Sequence, residues 1–459
     1  MLISDLNKYI CSFLSDIDTI NFLSMNHKMN LLKNNLWFNN IINLDKIKTL
    51  QYFKQFTNII CEKKLKPESI LFLQKCNYIK QLTFDFNFNQ NINDCLCGLV
   101  NLTHLTFGRN FNQNINYCLC SLVNLTHLTF GRKFNQDIKD SLPPNLIYLK
   151  FGREFDKSIN DLPSSLEHLI LVGKFIQTIK KFPENLKYLK FSNRFNKSIQ
   201  DILPSSLTNL IFGREFNQNM KGILPSSLHW SLASMCPNLT HLTFGRDFNQ
   251  DINGVLPFGL THLTFDGYSF NQNIKNTLPS TLIHLKLSWC FNQDIKDALP
   301  LNLTHLTLGG HFNQNVKNCL PSKLTHLTFG WDFNQNVKDA LPPNLTHLTF
   351  GFEFNQDVKD ALPSNLTHLT FGCRFNQDVK DALPLNLTHL TFGSRFNQDV
   401  KGALPPNLTH LTFGRDFDQN LKNALPANLT HLTVFTYRMR KHIKNILSLE
   451  NKKIKLSLL

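Results

Sequence analysis

Residues Leu341–Ala361 read LPPNLTHLTFGFEFNQDVKDA, and Leu362–Ala382 read LPSNLTHLTFGCRFNQDVKDA. The two stretches differ mainly in the pair between glycine and phenylalanine, Phe352-Glu353 against Cys373-Arg374. Anchored on the Phe that precedes Asn-Gln, the unit recurs sixteen times from Phe88 to Phe417. The spacing is 20–23 residues, apart from one gap of 32 between Phe216 and Phe248. This gap contains LPSSLHW and then CPNLTHLTF, a half-unit insertion expected to bulge on the outer side of the stack. A chain of 459 residues with such a period is quasi-one-dimensional, so length does not count domains. The repeated position also explains why 40 residues are Phe.

Within one unit the apolar positions are Leu345, Leu348, Phe350, Phe354, Val358 and Leu362. Leu-x-x-Leu-x-Phe is the pattern of a leucine-rich-repeat strand. Its alternation sends Leu348 and Phe350 inward and His347 and Thr349 outward. Gly351 ends the strand. Pro342 and Pro343 lack ladder donors and suit an outer bend. No stretch of the unit is long enough for a full helix. The expected fold is a short-repeat solenoid with a parallel β-sheet on one face, its core made continuous only by stacking. Asn follows the anchor Phe in thirteen of sixteen units, the exceptions being Asp156, Ile176 and Asp418. An asparagine there can bond backbone groups of its own and the neighbouring turn, forming a ladder.

Residues 82–433 closely resemble the FNIP repeat family, short leucine-rich-like repeats named for their Phe-Asn motif and abundant in social amoebae and in giant viruses that infect amoebae. The resemblance implies a binding solenoid rather than a chemistry.

The first eighty residues differ in kind. Leu6, Ile10, Phe13 and Leu14 lie at helical spacing, Ser15 and Asp16 can cap a second helix, and Leu31, Leu32, Leu36 and Trp37 mark a third segment. This module, residues 1–48, resembles an F-box, whose Leu-Pro-x-x-Leu, Ile, Phe-Leu, Asp, Leu, Asn pattern maps onto Leu2, Leu6, Ile10, Phe13, Leu14, Asp18, Leu23 and Asn26. Ile3 stands where the family often has Pro. The resemblance implies that Leu2, Leu6, Ile10, Phe13, Leu14 and Leu23 dock on the adaptor subunit of a cullin–RING ubiquitin ligase, and that the solenoid receives a target protein. The alternative is a helical cap over the open end of the array, giving a repeat scaffold with no ligase link. Residues 49–81 are expected to serve as linker and cap, and 434–459 as a basic terminal cap or tail.

The net charge of +15 is concentrated at the ends. Residues 1–80 carry +5 and 434–459 carry +6, leaving +4 for the whole array, which lacks the cationic face that phosphates need. The expectation is no nucleic-acid partner. No run approaches a membrane span and no leader is evident, so the reading is a cytoplasmic protein (host cytoplasm if viral) with reduced cysteines. Nine Asn-Leu-Thr triplets fit the glycosylation pattern but are explained by one repeat position.

Several patterns invite chemistry. A histidine occupies one unit position thirteen times, from His104 to His431. Such a column could bind a metal or form a surface ladder of stacked rings, and its like charges in register should hold the imidazoles below their usual pKa. Cys95, Cys97, Cys118 and Cys120 could hold zinc, or simply pack as small apolar residues. The acids Asp357 and Asp360 recur once per unit, so no pair is singled out for acid–base work. No catalytic residue, cofactor or metal is expected.

Specificity should sit in the varying pair. Arg109, Arg132, Arg214, Arg246, Tyr268, Trp289, Trp331, Phe352, Arg374 and Arg395 follow the strand there, and arginine and aromatic residues dominate interface hot spots. The competing reading is drift at positions free of packing constraint.

Overall fold

Each 21-residue unit makes one turn of a parallel β-solenoid, and its sequence accounts for the three sides. In this computed structural model the described residues are 14–24, 32–33, 38, 41–48, 50, 53–61, 65–92, 96, 98–115, 118–199, 202–220, 236–435 and 454–458. The chain divides into two compact parts, Met1–Gly213 and Arg214–Leu459.

In the second part, strands His241–Phe244, His262–Phe265 and His284–Lys286 are followed by a three-residue strand every 21 residues from His305–Thr307 to His410–Thr412, and then by His431–Val434. All pair in parallel, histidine opposite histidine and leucine opposite leucine. The expected alternation holds: along the strands Leu348 and Phe350 are buried, while His347 and Thr349 are partly exposed. After Phe350 the chain turns across Gly351-Phe352-Glu353-Phe354, closed by the Phe354 amide on the Gly351 carbonyl at 3.3 Å. A Cβ on Gly351 would lie 1.6 Å from the Gly330 carbonyl oxygen, so successive units approach here too closely for a side chain.

The next side is an asparagine ladder. Asn334 Oδ1 accepts from the Asn355 amide at 2.9 Å and from Gln356 Nε2 at 3.0 Å, one unit on. The third side begins at Val358 with a turn whose Asp360 has φ +57°. Asp357 Oδ1 accepts from the Lys359 amide at 2.8 Å, an Asx turn. Asp and Asn tolerate the left-handed region better than other non-glycine residues; where neither stands, Gly254 and Gly402 do, at φ +70° and +71°. Leu362, expected in the core, is only half-buried; the small Ala361 fills the inner seat instead.

The core is two interlocked phenylalanine columns. Phe350 and Phe354 stack at 3.7 Å within a unit. Between units the ring spacing grows outward from the sheet: 4.2 Å for His347–His368, 5.7 Å for Phe350–Phe371 and 6.1 Å for Phe354–Phe375. Each turn is therefore a wedge, thin on the histidine side, which makes the strand face the inner one. The 32-residue gap closes to a single step, because Phe216 and Phe248 stack at 6.3 Å and the Asn249 amide bonds Asn217 Oδ1 at 2.9 Å. The bulge expected there falls on residues 221–235, outside the described ones.

The first part follows the same plan from Gln81–Phe84 and His104–Thr106 to Asn209–Ile211. Its ladder starts earlier than Leu82: Ile42–Asn43 pairs with Asn58–Cys61, which pairs with Gln81–Phe84. Segment 49–81 thus adds a strand and the helix Pro67–Gln74 to the stack. Likewise Lys455–Leu458, in the basic terminal segment, pairs with His431–Val434. Helix Asp16–Ser24 is capped as its sequence suggests: Ser15 Oγ accepts from the Asp18 amide at 3.2 Å and donates to the Asp18 carboxylate at 2.6 Å.

Candidate functional site: the variable rim turn

The two residues that change from copy to copy are the central residues of the turn after each strand. Both neighbours in the chain are fixed, by the glycine contact on one side and the buried Phe354 on the other. The turn backbone forms its own ladder: the Glu353 amide donates to the Trp331 carbonyl at 2.9 Å, and the Arg374 amide to the Phe352 carbonyl at 2.9 Å. The backbone is thus held while the side chains project from the rim.

In the second part this rim gathers Arg246, Tyr268, Trp289, Trp331, Phe352 and Arg374. Tyr268, Trp289 and Trp331 are 52%, 39% and 45% exposed. Trp331 stacks on Phe352 at 4.1 Å with an interplanar angle of 5°. The Arg246 guanidinium lies 4.8 Å from the Tyr268 ring centre, and that of Arg374 lies 5.9 Å from Phe352 while pairing with Glu353 at 2.5 Å. Between this aromatic wall and the threonines of the strands runs a trough of about 480 Å³. Arg214 and Arg395 are exposed further along the same rim, joined to it through the Asp247 amide on the Arg214 carbonyl and the Arg395 amide on the Cys373 carbonyl. Arg109 and Arg132 belong to the first part. There Arg109 sits 5.2 Å over Phe86, and Arg132 lies 4.0 Å from Glu154.

Sequence reasoning missed the residues that complete the trough. Gly310 forms its floor, and Asp266–Lys286 and His311–Asp332 flank it as pairs at 2.9 and 2.6 Å. The signal was present in Gly309-Gly310, where the unit pattern otherwise carries a side chain.

Of the residues mapped onto an F-box, Leu2, Leu6, Ile10 and Phe13 lie outside the described ones. Leu14 is 37% exposed and Leu23 is fully buried.

The histidine column is a stack of parallel rings. From His241 to His431 the centroids are 4.0–4.3 Å apart. Tyr148, Tyr188 and Asn209 take the same strand position in the first part. Each ring is held by the threonine before it: the Thr346 hydroxyl donates to the Thr325 carbonyl at 3.1 Å and lies 2.9 Å from His347 Nδ1. Burial pushes the pKa of His305 and His368 down to about 4, and the neighbouring imidazoles add to the fall. The direction matches expectation, but burial rather than like charge is the larger cause. Parallel rings set their nitrogens side by side, and among the described residues no three His, Cys, Asp or Glu side chains are placed to share a metal ion. Of the cysteine quartet, Cys95 and Cys97 lie outside the described residues, while Cys118 is buried. The repeated acids are committed to turn geometry, as Asp357 and Asp360 show.

Stacked parallel strands, a phenylalanine core and an asparagine ladder define a leucine-rich-repeat-like solenoid, a fold typical of binding scaffolds rather than of enzymes. No described helix is long and apolar enough to cross a membrane. The FNIP Repeat family model matches residues 123–152, 134–174, 195–230, 233–267, 252–290, 291–332, 312–353, 333–374 and 396–434, together more than half of the chain. The chain belongs to the FNIP repeat family. Among solved structures, CroV588, described as a novel circular LRR protein, is similar at 38% identity over 88% of this chain and 73% of its own, with a TM-score of 0.60. YopM from Yersinia enterocolitica WA-314 shares 21% identity over 78% of this chain and 80% of its own, with a TM-score of 0.50. TLR13, solved in complex with ssRNA13, shares 13% identity over 87% of this chain and 69% of its own, with a TM-score of 0.52. The last two likenesses are of fold alone. No curated protein matches the chain.

Proposed function

We propose that this chain is a substrate receptor: a binding scaffold whose rim turns select a target protein, joined through an N-terminal F-box to the adaptor subunit of a cytoplasmic cullin–RING ligase. One observation carries the target-binding half. The positions that vary between otherwise near-identical units are those whose side chains leave a rigid turn for solvent, and in six of them arginine and aromatic residues sit side by side. Such residues offer large contact area at low entropic cost. The ligase half rests on the sequence pattern from Leu2 to Asn26, and the capped helix Asp16–Ser24 with its buried Leu23 fits a helical module there.

The test uses the full chain and purified ligase adaptor. Direct binding is expected, weakened at least tenfold by Phe13→Ala with Leu14→Ala, because an apolar helical face docks in a partner groove. An intact chain that shows no adaptor binding refutes the ligase half and leaves a scaffold without that link.

A further inference from the structure

Trp289 is seated differently from its neighbours. A Cβ built on Gly310 would lie 2.3 Å from Trp289 Cδ2, 2.5 Å from Cε2 and 2.7 Å from Cε3. Cδ2 is a ring-fusion carbon bonded to both of the others. A point so near all three lies over the ring face, since an in-plane approach would leave Cε2 far behind. The indole therefore rests face-down on Gly310, and its other face is turned away from the backbone. Its plane is tilted 46° from Tyr268 and 49° from Trp331, each 6.2 Å away, so it breaks the edge-outward stacking of the other rings.

The surroundings of this platform are polar but without excess charge. Asp266 is met by Lys286, Asp332 by His311 and Glu353 by Arg374, at 2.9, 2.6 and 2.5 Å. Pairing fixes these groups in place as hydrogen-bond donors and acceptors. It also removes the net field that a polyanion or a polycation would need.

We propose that the trough beside Trp289 binds a neutral oligosaccharide, with the outward indole face as stacking platform. The inference rests on the reading of the rim as the ligand-binding edge and names the chemistry recognised there. The C–H-bearing face of a pyranose ring carries partial positive charge and packs on the negative face of an aromatic ring. Its hydroxyls need fixed donors and acceptors at the edges, which the three pairs supply. Periodicity separates this occupant from a peptide. Turns of the solenoid follow at about 4.8 Å, whereas an extended peptide repeats its same-side side chains about every 6.7 Å and drifts out of register. A pyranose residue advances a chain by a step close to one turn, so successive sugars meet equivalent groups. From Tyr268 to Phe352 the trough spans four such steps, about 19 Å.

The test titrates the full chain with gluco-, manno-, galacto- and N-acetylgluco-oligosaccharides of one to six residues, read by calorimetry and tryptophan fluorescence. Affinity should rise with chain length and level off at about four residues, the trough length. Trp289→Ala should weaken binding at least tenfold while leaving thermal stability and circular dichroism unchanged. Gly310→Val, which displaces the indole, should do the same; if it impairs folding, Trp289→Ala still decides. A glycoprotein titrated before and after enzymatic deglycosylation tells a protein-borne glycan from a free one. The proposal is overturned if none of the four series binds at millimolar concentration, or if Trp289→Ala binds them as tightly as the parent. Retention of oligothymidine that depends on Trp289, with no saccharide binding, would also overturn it by assigning the platform to bases. None of these failures touches adaptor binding, which Phe13 and Leu14 report separately.

Discussion

The histidine at the centre of each unit titrates against its own surroundings. A half-buried imidazole in a parallel stack cannot take up a proton without losing solvation and meeting two neighbours that would also be charged. His305 and His368 are lowered from 6.5 to about 4, and His262, His284, His326, His347 and His410 are lowered as well. For a base with a depressed folded pKa, the unfolded chain binds more protons between the two values. The stability the neutral column supplies is thus complete above pH 6.5 and is lost as pH falls toward 4. Denaturation midpoints should fall across that window, and NMR titration should place the His305 and His368 imidazoles below 6.5. Midpoints that stay flat from pH 7 to pH 4 would contradict the stacked, half-buried column.

At the scale of the element, the turn after Val358 shows what could be read in advance and what could not. The inward Leu348 and Phe350 follow from alternation alone, because a strand has only two faces. So does a ladder role for Asn355, because the residue recurs wherever the anchor Phe does. The roles of Asp357 and Asp360 do not follow from their spacing. One accepts a backbone hydrogen bond and the other holds a positive φ, and these depend on backbone angles set by the whole coil. The same limit explains Gly310: a sequence shows a missing side chain, but not that a neighbouring indole occupies the space. It explains as well why the strand Asn58–Cys61 went unread, since NIIC carries none of the unit's motif and is recruited by the template next to it. The positive φ at Asp360 has a direct test. Asp360→Gly should be tolerated, as Gly402 is in its own unit. Asp360→Val should cost about 1–2 kcal/mol, because a β-branched residue resists the left-handed region. Urea denaturation of the two variants distinguishes them, and equal stability would mean the turn relaxes at no cost.

Over the whole molecule, stability is a sum of near-identical steps. Each unit in the second part buries the same leucine and phenylalanine set against its neighbours, and each hands on the same strand, asparagine and turn ladders. Such arrays obey nearest-neighbour energetics. Excision of Asn355–Phe375, which joins Phe354 to Asn376, removes one complete turn. It should leave a folded protein with the parent's circular dichroism per residue. Its unfolding midpoint should lie within a few degrees of the parent, and saccharide affinity at the upstream trough should be unchanged. Removal of about half that length should instead set strand against turn and abolish cooperative unfolding. If both deletions behave alike, the ladders do not set the register.

The glycine contact ahead of the rim pair has a consequence for how such a gene can change. Because Gly330, Gly351, Gly372 and Gly393 leave no room for a side chain, selection holds that codon and the phenylalanine codons around it nearly constant. Two unconstrained codons lie between them. Recombination between neighbouring copies can therefore add or drop whole turns in frame and carry the rim pair along as cargo. New orders of rim residues, and so new binding edges, arise by shuffling rather than by point mutation. The frame that makes the copies interchangeable is the same steric seal that keeps them stacked.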